Sequence, residues 1–274
     1  MRTALYGAII GDTIGSAYEG RKRGTKTKDF EIFGENCRFT DDSVMTIAVA
    51  DALLKIGNNN NEDESKKFFV QSMQTWGRKY INVGYSYTFR QWLLTDNPQP
   101  LPKNSNGSAM RVSSVGWFFD TLERTREVAC QSAVVSHNTP EGIRGAESVA
   151  SAIFLARNGA TKDEIKSYVT TEFGYDLTRT LDEIRPNYYP IFRCDKSVPE
   201  AIISFLESEN FEDSVRNAVS LDGDSDTLAA IAGSIAEAFY EIPEDFITEE
   251  NKRLPEDIRE VMTQFNAALG NIHA

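Results

Sequence analysis

Two short segments combine carboxylates with hydroxyls in a pattern suited to divalent cations. Residues 40–43 read Thr-Asp-Asp-Ser, and residues 224–227 read Asp-Ser-Asp-Thr. Asp, Ser and Thr are also the preferred N-cap residues, so one acid at a helix start needs no other explanation. Neighbouring acids repel each other, however, and capping uses only one of them. Because Mg²⁺ and Mn²⁺ prefer carboxylate, hydroxyl and carbonyl oxygens, the two clusters together indicate a metal site.

Each cluster directly precedes a segment with helical periodicity. Apolar residues recur every three or four positions from Met45 to Ile56 and again from Leu228 to Phe239, a spacing typical of a helix with one buried face. Two cations about 3.5–4 Å apart could orient oxygen ligands and activate water, but one cluster cannot complete both coordination shells. We therefore expect the fold to bring the N-termini of these two helices together.

The remaining sequence favours an all-α protein. Helical spacing also runs through Val149–Ala156, and Asn158–Gly159 then indicates a helix end. Thr161 and Glu164 form a capping-box pattern that predicts the next helix. Further helices are predicted over residues 62–80, 122–135, 199–207 and 255–269. Since the sequence contains neither alternating strands nor a βαβ rhythm nor a long linker, it predicts a single helical domain over residues 1–274.

Composition disfavours several classes of protein. The net charge is −12, whereas an extended nucleic-acid-binding surface is usually basic. The three cysteines form no CxxC pair and are too few for a disulfide scaffold, which favours a reducing, cytoplasmic location. His137 and His273 are the only histidines, so a histidine-rich zinc or iron site is not expected. No apolar run approaches the ~20 residues of a membrane span, and no membrane contact is expected.

Five segments of this sequence resemble motifs of the ADP-ribosylglycohydrolase family, which includes dinitrogenase reductase-activating glycohydrolase. The segments are Gly11–Glu19 (GDTIGSAYE), Phe39–Met45 (FTDDSVM), Asn106–Arg111 (NGSAMR), Ser136–Ala146 with its histidine, and Gly223–Thr227 (GDSDT). One match alone would carry little weight. All five occur in the family's order and together extend over most of the chain, so the sequence is similar to this family as a whole.

The resemblance implies a fold, a metal centre and a reaction. The fold would be a compact orthogonal bundle of many helices. Two Mg²⁺ ions, or Mn²⁺ in their place, would be held by Thr40, Asp41, Asp42, Asp224, Asp226 and Thr227. The cis-diol of the distal ribose of an ADP-ribosyl group would lie on the metals, and water would displace the linked group at the anomeric carbon. The ADP-ribose would belong to a modified protein or small molecule, or to a nucleic acid only if that is ADP-ribosylated, and a monomer is expected.

Three carboxylates are candidate catalytic groups, because hydrolysis of a glycosidic bond needs an activated water. They are Glu19, Asp41 and Asp42. Without the resemblance, Glu19 would be interpreted as an exposed acid beside a basic stretch. Asp12 is an alternative acid that could instead hold a loop through backbone hydrogen bonds. Some bacterial members carry a further functional Asp after the first metal motif, but residues 76–91 contain no acid here, which leaves the identity of the base open.

The candidate substrate-binding residues are Asn106, Gly107, Ser108, Met110 and His137. Backbone amides of this Gly-containing loop could bind a diphosphate, although such a loop can also simply precede a helix. A lone histidine near a helix start is more often a structural hydrogen-bond partner, and Arg111 could serve a phosphate or pair with an acid in the core. Adenine stacking is possible for several aromatic residues that would otherwise be core, namely Tyr80, Tyr85, Tyr87 and Phe89.

Alternative interpretations remain open. The chain could be a catalytically silent ADP-ribose- or nucleotide-binding protein on the same fold, although all six candidate ligands are present. A two-metal phosphoesterase would need histidine or additional aspartate ligands, which the sequence does not offer. Gly7, Gly11 and Gly15 recur every fourth residue and indicate either close helix packing or room for a ligand. The motifs do not specify whether the ADP-ribose is linked to arginine, serine, an O-acetyl group or a nucleobase.

Overall fold

The computed structural model describes residues 3–20, 23–57 and 59–272; His273 lies outside these ranges. The described residues form fourteen α-helices: α1 Tyr6–Ser16, α2 Asp41–Ile56, α3 Glu62–Lys79, α4 Tyr87–Leu94, α5 Ser113–Phe118, α6 Leu122–Val134, α7 Pro140–Arg157, α8 Lys162–Phe173, α9 Leu181–Ile184, α10 Cys194–Leu206, α11 Phe211–Val219, α12 Ser225–Phe239, α13 Glu244–Asn251 and α14 Glu256–Ile272. Extended pairing in these ranges is limited to one isolated bridge between Ser105 and Arg193. The prediction of an all-α protein is confirmed.

Most predicted helices lie where the spacing placed them, and the capping box before α8 is present. The Thr161 hydroxyl accepts a hydrogen bond from the Glu164 amide, and the Glu164 carboxylate accepts one from the Thr161 amide. The predicted start of α10 is wrong, because Pro199 lies inside that helix. Proline is common in the first turn of a helix, and for this reason the helix was predicted to begin at residue 199. In the structure, the amides of residues 196 and 197 donate to the Arg193 carbonyl and form the turn that precedes the proline.

Helices α1 and α12 touch through their backbones along a line of glycines, which we call the glycine contact. A Cβ atom added to Gly7, Gly11 or Gly15 would lie within 2.1–2.3 Å of a backbone carbonyl oxygen of α12 (Gly233, Ala229 and Ser225, respectively). No side chain fits at such a distance, so close helix packing is the correct interpretation of the repeated glycines. The glycine contact places Asp12, on α1, beside the N-terminus of α12.

The N-terminus of α1 is capped by a side chain from α12. Leu5 adopts a left-handed conformation (φ 83°) and offers no capping side chain of its own. Its amide donates to Oε2 of Glu237 at 3.1 Å, and the amides of Tyr6 and Gly7 also bond this carboxyl group. Burial raises the pKa of Glu237 to about 8. This buried carboxyl group satisfies amides that the first turn of a helix leaves without intrahelical partners.

Helix α2 lies inside the bundle, where it contacts α1, α3, α5 and α14. Buried residues occur around most of its circumference, as expected for a helix with neighbours on several sides. Nearly all buried hydrophobic residues of the described ranges belong to one continuous cluster. The N-terminus of α2 is therefore fixed by packing along the whole helix. None of the helices in the described ranges is long and apolar enough to cross a membrane.

Candidate active site

Asp12 holds the N-terminus of α2 from a neighbouring helix. It is fully buried, and its Oδ2 accepts hydrogen bonds from the amides of Thr40 (2.7 Å) and Ser43 (3.0 Å). The Thr40 hydroxyl donates to Oδ1 at 2.5 Å, and the Ser43 hydroxyl donates to Oδ2. The expectation that Asp12 could hold this loop through backbone hydrogen bonds is confirmed. Since Asp12 supplies the cap, the acids of α2 itself are not needed for capping.

Asp41 and Asp42 are consequently available for another role. Asp42 is 3 % exposed, and its Oδ1 has no hydrogen-bond partner among the described residues. Burial, followed by repulsion from Asp226, raises the pKa of Asp42 well above its usual value. Burial, followed by repulsion from Asp12, raises the pKa of Asp41 to about 8. Both carboxylates are therefore costly to keep ionised unless a positive charge neutralises them.

The second acidic cluster begins α12, and its members are also buried. The side-chain amide of Asn106 donates to Oδ2 of Asp224 at 2.7 Å, and the Thr227 amide donates to Oδ1 of Asp226 at 2.9 Å. Burial raises the pKa of Asp224 to about 7. Burial and then the charge of Asp224 raise the pKa of Asp226 well above its usual value. The side chains of Thr227 and Asp226 also form hydrogen bonds with Asp224, and both carboxylates still have acceptor sites left for a cation.

The two acidic clusters meet, as predicted. Asp12, Asp42 and Asp226 each offer one carboxylate oxygen within 4.8 Å of the others, and so do Glu19, Asp224 and Asp226. Buried carboxylates at this distance repel one another strongly. The donor set contains only oxygen atoms, which fits Mg²⁺ or Mn²⁺ better than zinc. The convergence of the two helix N-termini is confirmed, whereas the metal ions themselves stay a prediction.

A cavity of about 490 Å³ opens onto these carboxylates. All six predicted metal ligands line it, together with four of the five predicted substrate-binding residues: Asn106, Gly107, Met110 and His137. The structure places Ser108 outside the described lining, because its fully buried hydroxyl donates to the Gly142 carbonyl at 2.7 Å. Of the four aromatic residues considered for adenine stacking, Phe89 belongs to the described lining, and Tyr87 lies on the surface with 79 % of its area exposed.

A family model described as ADP-ribosylglycohydrolase matches residues 1–271. The chain belongs to the ADP-ribosylglycohydrolase family. Among curated relatives, ADP-ribosylhydrolase ARH3 of Gallus gallus is 25% identical over 311 residues, covering 87% of this chain and 84% of the relative. ADP-ribosylarginine hydrolase Tri1 of Pseudomonas putida (strain GB-1) is 24% identical over 262 residues, covering 86% of this chain and 69% of the relative. The predictions of the family and of a hydrolase that acts on glycosidic bonds are confirmed.

A solved structure, described as an ADP-ribosylglycohydrolase-related protein complex, has the same fold. It superposes with a TM-score of 0.73 and 22% sequence identity, covering 98% of this chain and 95% of the other. The orthogonal helical bundle that the resemblance implied is therefore the fold of this family member.

In this family member the cavity is lined by groups of both charges. The two carboxylate clusters and Glu19 line it together with Arg38. Lys103, Ser105 and Arg111 also line it and lie near His137, and we call these four residues the cationic end of the cavity. Arg111 is fully buried, lies 5.9 Å from the Phe89 ring centroid, and has no carboxylate partner among the described residues. The core ion pair considered for it from sequence is therefore not formed within these ranges.

Sequence reasoning missed several residues of the site, among them Asp12, Lys103 and Ser105. Asp12 was considered as a loop holder but not as part of the acidic cluster, although it follows Gly11 in the first family segment. Lys103 and Ser105 immediately precede the Asn106 loop and line the cavity. Their position next to that loop was the available signal, but neither residue type is specific enough to indicate a role by itself.

Proposed function

We propose that this chain is a Mg²⁺-dependent hydrolase, active with Mn²⁺ in its place, that removes ADP-ribose from a modified protein or small molecule. The bond cleaved joins the target to the anomeric carbon of the distal ribose. One observation carries this proposal: a single cavity is lined both by paired buried carboxylates from two helices and by the cationic end around His137. ADP-ribose has matching ends, with a ribose diol at one and a diphosphate further along.

The residues present fit a binuclear metal centre. Asp42 has an unpartnered buried oxygen, and two groups of three carboxylates converge through Asp226. The ions would be held by Thr40, Asp41, Asp42, Asp224, Asp226 and Thr227. When bound, the ions would neutralise these acids, hold the ribose diol and polarise the attacking water. The Thr40 hydroxyl donates its proton to Asp12, so its remaining lone pairs can serve a cation.

The chain's own side chains would complete the reaction. Glu19 has a carboxylate oxygen within 4.8 Å of oxygens of Asp224 and Asp226, and it is half-buried at the cavity edge. We assign to Glu19 the role of general base, which accepts a proton from water as the water oxygen bonds to the anomeric carbon and the bond from that carbon to the target breaks, the released group taking up a proton from solvent. Asp41 and Asp42 are the alternatives for this role. Asn106 orients Asp224 through its side-chain amide.

Release of free ADP-ribose tests the proposal. The purified protein is incubated with arginine-linked and serine-linked ADP-ribosyl peptides in Mg²⁺, in Mn²⁺ and in EDTA. We expect metal-dependent release from at least one peptide, and loss of that release in Asp226→Ala. Asp245→Ala, an exposed acid in the first turn of α13, serves as the matched control and should behave like the native protein. Metal-dependent binding of ADP-ribose without release from either peptide would instead identify a binding protein on this fold.

A further inference from the structure

We propose that Ser105 is a further substrate-binding residue, which donates a hydrogen bond to a phosphate oxygen of the substrate. Arg111 and Ser136 are its positioning residues, and they act through the ring of His137. A chain of hydrogen bonds, which we call the relay, runs from the buried core to the cavity through Arg111, Ser136, His137 and Ser105. The identity of the ligand as ADP-ribose rests on the proposed function, whereas the existence of the relay does not.

The contacts of the relay determine the position of each proton. The Nη2 atom of Arg111 donates to the Ser132 carbonyl (2.9 Å) and to Oγ of Ser136 (2.7 Å), which uses both of its protons. Oγ of Ser136 also lies 2.9 Å from Nδ1 of His137. Since Ser136 accepts from an arginine, which can only donate, its own proton is free for Nδ1. No other acceptor for that proton is present among the hydrogen bonds of the described residues.

This arrangement selects one tautomer of His137. With Nδ1 as an acceptor, the ring proton resides on Nε2, which lies 3.1 Å from Oγ of Ser105. Burial, followed by the nearby Arg111 and Lys103 cations, lowers the pKa of His137 well below its usual value, so the ring is neutral. Nε2–H therefore donates to Ser105. The Ser105 hydroxyl accepts this bond and keeps its own proton for a ligand in the cavity.

The backbone around Ser105 is fixed from the side opposite the histidine. The Asn106 amide donates to the Phe192 carbonyl at 2.8 Å, and the Cys194 amide donates to the Asn104 carbonyl at 2.9 Å. A Cβ atom at Gly107 would lie 2.8 Å from Nε2 of His137, so only glycine lets the loop approach the ring this closely. Ser105 is thus held between the 192–194 segment and His137, half-buried in the cavity lining.

The surroundings of Ser105 indicate an anionic oxygen as the ligand. Lys103 lines the same end of the cavity, and its ammonium group donates to the Ser86 hydroxyl at 3.1 Å. No hydrogen bond or ion pair between described residues joins a carboxylate to Lys103, Ser105 or His137; their side-chain partners are Ser86, His137, and Ser136 with Ser105, respectively. A hydroxyl donor beside an ammonium and a buried guanidinium suits a phosphate better than a neutral sugar hydroxyl. Since ADP carries a diphosphate without the distal ribose, it is a suitable probe.

Nitrogen-15 NMR of the histidine rings tests the relay independently of activity. The chain has two histidines, and His273→Gln assigns the signals of His137. We expect a neutral ring with Nδ1 as the acceptor and Nε2 protonated in the native protein, and loss of this single tautomer in Ser136→Ala. Ser132→Ala is the matched control, because the Ser132 side chain donates within its own helix and its carbonyl remains available to Arg111. A proton on Nδ1 in the native protein, or an unchanged spectrum in Ser136→Ala, would overturn the relay.

Calorimetric binding of ADP and of ADP-ribose tests the role of Ser105. Loss of a hydrogen bond to a charged acceptor weakens binding about tenfold or more. We expect that loss for both ligands in Ser105→Ala, with recovery in Ser105→Thr and a smaller loss in Ser136→Ala. For a substrate that is turned over, KM should rise while kcat changes little. Native affinity of Ser105→Ala for ADP would refute the phosphate contact even if hydrolysis is established. Conversely, tenfold weaker ADP binding supports the contact even if no ADP-ribosyl peptide is cleaved.

Discussion

Substitutions of Asp12 can distinguish two roles of this residue, namely stabilising the start of α2 and orienting the side chains of the site. Its carboxylate accepts two amide and two hydroxyl hydrogen bonds from Thr40 and Ser43. An N-cap contributes about 0.5–2 kcal/mol, and hydrogen bonds to charged groups contribute about 1.5–3 kcal/mol each. The four bonds share one carboxylate, and its burial raises the pKa of Asp12 and offsets part of their benefit. We therefore expect Asp12→Ala to lower the free energy of unfolding by about 3 kcal/mol.

Asp12→Asn should behave differently, because an amide keeps one acceptor oxygen. That oxygen can still receive the amides of Thr40 and Ser43, so about half of the stability loss is expected. The amide nitrogen would then face Oγ1 of Thr40, which now donates to Asp12. Thr40 would have to accept instead, and its proton would turn away from Asp12. We expect activity to fall by more than tenfold, a larger loss than the change in stability alone would cause.

Thermal unfolding and ADP-ribose release are measured on the same samples. Together they show whether a variant loses activity because it unfolds or because Thr40 is no longer oriented. For a chain of this size, about 3 kcal/mol corresponds to a fall in Tm of roughly 6–12 °C. Thr13→Val is the matched control on α1, because the Thr13 hydroxyl donates to Glu250 of α13 at 2.9 Å instead of to the start of α2. This variant should lose stability and keep its activity below its Tm. If Asp12→Asn retains native activity, Asp12 does not orient Thr40 and the reasoning is wrong.

Three further changes address the base, the cap of α1 and the glycine contact. Glu19→Gln should lower kcat at least tenfold while ADP-ribose affinity changes less; equal losses in both would argue against Glu19 as the base. The pKa of Glu237 is raised to about 8 in the folded chain, so its protonated form gives stability that is full below about pH 4.5 and disappears as pH rises through 8. The Tm of the native protein should accordingly fall between pH 6 and pH 9 relative to that of Glu237→Gln, and parallel Tm curves would contradict the shift. Gly11→Ala should cost about 2–3 kcal/mol by urea unfolding, because the new Cβ would meet a carbonyl oxygen at 2.1 Å; a stable variant would mean that α1 can move away from α12.

Local sequence signals predicted the helices and the acidic clusters well, because both depend on residues close together in the chain. The spacing from Met45 predicted α2, although the helix begins four residues earlier, at Asp41, so that the acidic cluster forms its first turn. Contacts between distant residues were less accessible. No local pattern indicates that Glu237 caps α1 across the bundle or that Asp12 caps α2. From sequence, Glu237 is only a polar residue in an apolar segment, and Asp12 was expected to hold a loop without any indication of which one.

The cationic end of the cavity was predicted only in part for the same reason. The family segments named His137 and the Asn106 loop, and both line the cavity. The role proposed for Ser105 depends on the ring of His137, which lies 32 positions away in sequence. Serine is a common residue, so its type alone does not indicate a binding role. Ser108 was included because it lies in the matched loop, but its hydroxyl is directed to the Gly142 carbonyl. Membership of a motif therefore predicted which loop forms the wall, but not which of its side chains faces the ligand.

The glycine contact has a consequence for how this protein can change over evolutionary time. Where two helices are spaced by side chains, each core substitution alters their separation slightly. Here the separation of α1 and α12 is set by backbone atoms at Gly7, Gly11 and Gly15, so substitutions elsewhere in the core should hardly alter it. Asp12 and Asp226 would keep their spacing while most of the surrounding sequence is replaced. Such a joint would keep the spacing of these two carboxylates in family members that share only about a quarter of their residues with this chain, the level of identity between it and ARH3 of Gallus gallus.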